Sequence, residues 1–401
     1  VKTLFLLLVC FVLFLGFSKS LLAQTDSNAV AKKDVVDLLR DIFGKDPFTA
    51  SQENKRDSSK ISFSVIPAFS VNGSEKGVVT SFNSAFFLGP RQTTNLSNIY
   101  FTPYFTFSEQ YVIPIRSYIW TANNKYNLIG DYRFMKYPQM QYSLYNHKND
   151  EAESRLDYYQ TRFYQTFSRK IFPNAAAGIG LMYDYYSSIE EDQIYSDGIT
   201  SYQRYGDTIN KSYASGGLSF EIIWDTRRNT LNPKNGEFLR LSLRKNVPWL
   251  GSKAIWSSIY LDFRKYLLLN PKRRQVLGFW GWYWSIIEGK SNYLDLPSIG
   301  WDYYGKTGRG TYRNRYRSST LLYFETEYRT ELTDNGLWGL VAFANIVTPT
   351  VLFTYQFQQP SFAIGSGLRL RINKRTASNI GFDVGISRSY WTYYLTLNEF
   401  F

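Results

Sequence analysis

The sequence predicts an all-β fold: a 16-stranded antiparallel transmembrane β-barrel preceded by a short N-terminal periplasmic segment. Three observations lead there. Between Thr320 and Leu332, Tyr323, Glu325, Glu327, Arg329 and Glu331 alternate with Leu322, Phe324, Thr326 and Tyr328. A strand of period two sends these sets to opposite faces, as a wall between water and lipid requires. The chain is also 18% aromatic, with 33 Tyr and 30 Phe, and past the N-terminus no apolar run is long enough for a membrane helix. Finally, short turns and long loops alternate along the chain, as they do on the two sides of a barrel.

At the N-terminus, Lys2, an apolar run from Leu4 to Phe17 and the small residue Ala23 read as a signal peptide over residues 1–24. Cys10 lies within that run, so the exported chain is expected to have no cysteine and hence no disulfide. His147 is the only histidine and sits in a polar segment. Most nucleophilic and zinc chemistries are hard to assemble from such a set, so no enzyme activity, cofactor or metal is expected. The formal charge of +13 is spread widely, and an exported protein rarely meets nucleic acid; the charge suits loops that face lipopolysaccharide or periplasmic proteins.

Residues 25–60 form a polar leader. Within it Val35, Val36, Leu38, Leu39, Ile42 and Phe43 are spaced for one helix face, with Asp34 as a cap and Gly44 and Pro47 as stops. This is either a flexible leader with nascent helix or a helix docking at the barrel mouth. The barrel itself occupies 61–401, with strands near 61–70, 77–88, 98–107, 110–121, 125–134, 156–169, 174–187 and 213–225. Eight more fall near 236–246, 253–267, 273–286, 319–332, 337–347, 361–373, 379–388 and 391–401. Alternation is clear where Leu239, Leu241 and Leu243 oppose Arg240, Ser242 and Arg244, and where Phe382, Val384 and Ile386 oppose Gly381, Asp383 and Gly385. Turns such as Asn270-Pro271-Lys272 are short, whereas loops near 135–155, 188–212 and 287–318 are long.

Four segments of residues 216–401 resemble the BamA/TamA-type barrels, or bacterial surface antigen domains. Asp225, Arg227 and Asn229, followed by Pro233 and Gly236, resemble the family's periplasmic turn. Gly308-Arg309-Gly310, followed by Arg315-Tyr316-Arg317, resembles the tip of its sixth extracellular loop, with Thr311 where the family has an aromatic. Glu327-Tyr328-Arg329 resembles the strand after that loop. Phe343 to Val347 resembles the next strand, with Asn345 in place of Asp and Val347 in place of Gly. The resemblance implies a lock in which Arg309, set by Gly310, reaches Glu327 and Asn345 inside the barrel. Since Asn345 carries no charge, Glu327 is expected to bear more of that lock, helped by Glu325. A guanidinium suits the task because its donors form a fixed fork.

The last strand ends in a further signal. Tyr393, Leu395, Leu397 and Phe401 are expected to share its outer face and to mark the chain for insertion, with Glu399 an imperfect fit. The resemblance implies an outer-membrane protein of a Gram-negative bacterium, and because residues 25–60 are too few for a periplasmic POTRA domain, a short member lacking those domains is expected. An accessory or specialised outer-membrane biogenesis factor is the expected function. Outer-membrane lipid, lipopolysaccharide and periplasmic or outer-membrane proteins are its expected partners. A structural barrel of an envelope complex and a passive pore are the alternatives.

Overall fold

A computed structural model describes residues 32–43, 62–72, 75–90, 92–144, 153–194, 199–207, 211–374, 377–388 and 390–401. The signal peptide, most of the leader and His147 lie outside the described residues. A single antiparallel sheet dominates, built from eighteen segments. Two pairs of segments are single strands broken at proline, which has no N–H for the ladder. Ser97–Phe101 and Tyr104–Thr106 flank Pro103 and share both neighbours. Tyr126–Lys136 and Gln139–Gln141 flank Pro138 and both pair with the same following strand.

The sheet thus has sixteen strands. In chain order they are β1 (Ser62–Asn72), β2 (Glu75–Phe86), β3 (Ser97–Thr106, interrupted), β4 (Tyr111–Trp120) and β5 (Tyr126–Gln141, interrupted). The longest follow: β6 (Ser154–Phe172) and β7 (Ala175–Ile194). Then come β8 (Tyr213–Asp225), β9 (Gly236–Asn246), β10 (Trp256–Asn270), β11 (Gln275–Gly289) and β12 (Thr320–Glu331). The last four are β13 (Trp338–Pro349), β14 (Ser361–Asn373), β15 (Ser378–Ser387) and β16 (Trp391–Leu397). Each strand pairs with the next, and β1 meets β16 at one residue pair, Asn72 with Tyr394. No helix among the described residues is long and apolar enough to cross a membrane.

The outer face is the apolar one. Phe163 and Phe167 on β6, Leu218 and Phe220 on β8, Phe324 on β12, Phe362 and Ile364 on β14 and Phe382 and Ile386 on β15 are exposed. On the opposite face of the sheet Asp184, Glu221, Arg240, Asp262, Arg264, Glu325, Glu327, Arg369 and Asp383 are buried. A soluble protein reverses this arrangement; an apolar exterior around a charged interior fits a wall held in lipid.

Three sequence expectations need correction. β5 continues past Phe134 to Gln141, and β6 and β7 begin earlier or end later than their alternation suggested. At 19 and 20 residues, these two exceed the roughly 9–11 that cross a bilayer. Their outer ends are polar (Glu190, Glu191), so they read as loop. Buried Tyr158, Tyr186, Tyr202, Tyr205, Tyr213 and Tyr293 pack a tyrosine-rich core over that end of the sheet.

The third correction concerns the C-terminus. β16 ends at Leu397, and Asn398 takes a left-handed φ of 69°. That residue breaks the alternation and turns the chain inward. Phe401 therefore does not share an outer face with Tyr393, Leu395 and Leu397. It is buried against Trp280 and Tyr266, at ring-centroid distances of 5.3 and 6.1 Å. Glu399, the misfit of the outward reading, also points inside, where Arg369 Nε donates to it at 2.9 Å and Asn379 Nδ2 at 2.6 Å.

At the turn end of the sheet the leader helix α1 (Val35–Phe43) is docked. Asp34 and Asp37 each accept the other's backbone N–H, a reciprocal cap on the first turn. The same pair grips the β14–β15 turn: Asp34 accepts Lys374 N at 3.0 Å and Asp37 pairs with Lys374 Nζ. Lys32 reaches Glu331 at 2.8 Å. Of the two readings of the leader, these contacts favour the docked helix. Replacing Asp34 and Asp37 with Ala removes cap and clamp together. Protease cleavage near residues 32–43 is expected to speed up, while the heat-modified gel shift of the barrel stays unchanged.

Candidate functional site: a loop locked inside the barrel

The β11–β12 connection, residues 290–319, folds onto the enclosed face of the sheet rather than into solvent. Its tip is set by strand register. Three inward rows run across neighbouring strands: Glu325, Asn345 and Ala363; then Glu327, Phe343, Gly365, Gly385 and Thr392; then Arg329, Val341, Gly367, Asp383 and Tyr394. The middle row lacks bulk at its centre. A Cβ on Gly385 would lie 2.6 Å from Gly310 N, and one on Gly310 would lie 2.7 Å from Ala363 Cβ. Gly310 also has a φ of 87°, which only glycine adopts without strain. The tip backbone thus lies directly on the wall, where Gly310 N donates to Thr392 Oγ1 at 3.0 Å. Tyr394 Oη closes the turn by donating to Gly308 O at 3.1 Å.

Arg309 is fully buried at this tip. Its Nη2 donates to both Glu325 and Glu327, and Nη1 donates to Asp383 Oδ2 at 3.0 Å. The guanidinium lies between the rings of Phe343 and Phe400, 3.8 and 4.3 Å from their centroids. Rings give a cation an attractive face where water is excluded. The carboxylates are shared outward: Glu327 also accepts from Arg329 Nε, Asp383 from Arg369, and Glu399 from Arg369. Three guanidiniums and four carboxylates thus form one connected buried set, which is how such charges are tolerated away from water.

The structure brings Arg309, Gly310, Glu325, Glu327 and Asn345 together, with Asn345 in an unexpected role. Its Nδ2 donates to Arg309 O at 2.8 Å, holding the loop backbone instead of receiving the guanidinium. The third carboxylate is Asp383 on β15, which sequence reasoning missed together with the inward turn of Glu399. A signal was present: Asp383 is the lone acid among inward glycines in Gly381-Asp383-Gly385. Where the family resemblance has an aromatic, Thr311 is buried, and the next residue, Tyr312, meets Tyr390 at 4.4 Å.

The β8–β9 turn does more than reverse the chain. Both arms of Arg227 hold Asp225 at 2.9 and 2.8 Å, and Asn229 Oδ1 accepts Leu231 N and Asn232 N. Gly236 has a φ of 100°. The intervening residues reach other strands: Pro233 O accepts from Arg329 Nη1 at 3.3 Å and Asn232 Nδ2 donates to Ala377 O at 3.1 Å. This turn therefore braces the same buried charges from the opposite end.

The rest of the long loop is tied to β5, where Asn314 Nδ2 donates to Gln139 Oε1 at 2.7 Å, and to the C-terminal segment, where Lys306 Nζ donates to Glu399 O at 3.0 Å. Within the loop, Arg317 Nη1 donates to Tyr293 O at 2.8 Å. A cavity of about 550 Å³ remains between this loop, residues 394–396 of β16 and residues 107–110 and 138–142. Burial pushes the Asp295 carboxyl up to about 6, assisted by the negative charge of Asp184. Ser215 Oγ and Asn292 Nδ2 donate to it. Because the folded value exceeds the ordinary 3.8, the folded loop binds this proton more tightly than the unfolded chain does. Loop docking is thus expected to strengthen as pH falls from above 6 toward 4, and Asp295→Asn to flatten that dependence. Thermal unfolding of both proteins across that pH range checks it; a curve unchanged by the substitution counts against Asp295.

The fold and the locked loop define a class: sixteen-stranded antiparallel barrels whose longest loop is fastened inside by a buried arginine. No family model matches the chain, and no curated protein matches it in sequence. Among solved structures it is similar to BamA from Haemophilus ducreyi lacking POTRA domains 1–3, at a TM-score of 0.56 and 11% identity, over 86% of this chain and 70% of that one. It is also similar to CdiB from Escherichia coli (0.55, 10%; 86% and 68%) and to CdiB from Acinetobacter baumannii (0.54, 10%; 84% and 65%). The chain spans about two thirds of the length of these structures, and the likeness is one of fold.

Proposed function

We propose that this protein is an outer-membrane barrel that assists the insertion or assembly of other envelope proteins, as an accessory or specialised biogenesis factor. The carrying observation is the seam. Complete strands elsewhere share seven or more register pairs, as β15 and β16 do, whereas β1 and β16 share one. A strand edge with unsatisfied N–H and C=O groups can template an incoming strand. The similarity in fold to BamA supports the same reading. Free conduction fits poorly with a loop fastened across the interior, which disfavours the passive pore.

The test is a single variant, Asn72→Cys with Tyr394→Cys, in the exported chain. Directly opposed residues of an antiparallel pair lie within disulfide reach. Reconstituted in liposomes, the reduced variant is expected to speed the folding of a urea-unfolded barrel protein, and the oxidised one to lose that effect. Both states lack the Tyr394 hydroxyl, so only the seam differs between them. Equal rates in both states, or no acceleration over empty liposomes, would reject the proposal in favour of a structural barrel.

A further inference from the structure

We propose that the turn-side rim from β4 to β11 is a binding surface for the phosphate headgroups of anionic phospholipid. Five exposed cations occupy consecutive turns there: Lys125, Arg169, Lys170, Arg228 and Arg273. Acids at this end are already held, Asp225 by Arg227 at 2.8 Å and Glu237 by Lys265 at 3.2 Å. The rim therefore presents a nearly uniform positive charge to its surroundings. The loop end of the same strands mixes signs, as where exposed Lys245 meets exposed Glu288 at 3.2 Å.

Beside these cations stand apolar residues that carry on the outer belt. Phe172 is 64% exposed, Leu269 54% and Ile171 50%, and Trp224 lies on the same rim. On β6 the outward file runs Phe163, Gln165, Phe167, Arg169, Ile171, so the guanidinium of Arg169 stands between two apolar side chains, Phe167 and Ile171, that face the hydrocarbon. Lys125 lies over the Tyr126 ring at 5.4 Å. Long cationic stems can lie along an apolar belt while their heads reach the headgroup layer. A band of cations at that depth attracts anionic lipid over zwitterionic lipid, and the attraction weakens with salt.

This inference rests on the membrane-embedded reading, and one experiment separates the two. The full chain is reconstituted in phosphatidylcholine vesicles with spin-labelled phosphatidylglycerol or phosphatidylcholine, and the motionally restricted lipid is measured by electron spin resonance. A preference of about threefold for phosphatidylglycerol is expected, falling toward unity at high salt. It is also expected to fall in the variant Lys125→Gln, Arg169→Gln, Lys170→Gln, Arg228→Gln and Arg273→Gln. A loop-end control, Lys211→Gln, Lys245→Gln and Lys253→Gln, should keep it. Equal restriction of both lipids in the native chain, or a preference lost equally in the control, overturns the rim. If the rim variant does not fold, the salt titration of the native chain decides alone: a preference that high salt leaves unchanged overturns the rim. No restricted lipid at all would instead overturn the membrane-embedded reading.

Discussion

Replacing Arg309 with Ala is expected to lower stability by about 3–5 kcal/mol, the range for removing one partner of a buried ion set. The size follows from what remains. Glu325, Glu327 and Asp383 are each fully buried, and only Glu327 and Asp383 have a second cation in contact, Arg329 and Arg369. Glu325 would keep only the hydroxyl of Tyr323. Arg309→Lys should cost less but still be felt, because an ammonium cannot span three carboxylates as a planar fork does. Thermal unfolding in detergent, read by circular dichroism and by heat-modified gel mobility, measures both. A variant as stable as the native chain would mean that the interior tolerates the orphaned carboxylates, through water or protonation, and that the lock is not what holds the loop.

The sequence exposes half of this arrangement. Arg309 was legible because Gly308-Arg309-Gly310 resembles the tip of the family's sixth extracellular loop, and Glu325 and Glu327 because period-two alternation puts both on one face. All sixteen strands were legible to within several residues for the same reason. The parts of Asp383 and Glu399, and the pairing of Arg369 with both, were not, since their meeting depends on how β12 to β16 register against one another, and alternation within one strand carries no such information. Phe401 was misread because the alternation of β16 was extended past Asn398, where a single left-handed residue ends it. The proline-interrupted β5 shows the opposite failure: its alternation ends near Phe134, whereas the strand runs on to Lys136 and resumes beyond Pro138 on the same partner.

The inward glycines were visible as well, yet their use was not. Gly385→Val is expected to destabilise the barrel by about 1–3 kcal/mol, the usual cost of overpacking a filled site. Here the neighbour that would have to yield is main chain: a Cβ at this position would meet Gly310 N at 2.6 Å and Gly310 Cα at 2.8 Å. The informative measurement is the double variant with Arg309→Ala. If Gly385 serves to seat the loop tip that Arg309 fastens, then once Arg309 is gone the tip can lift off the wall. The valine then meets little resistance, so the two losses should add to clearly less than their sum. Full additivity would mean that the glycine serves strand packing alone, since Val384 and Phe343 also crowd this part of the sheet around Gly365. A coupling of about 1 kcal/mol or more would tie wall and loop into one unit. Opening the interior would then require both to move together.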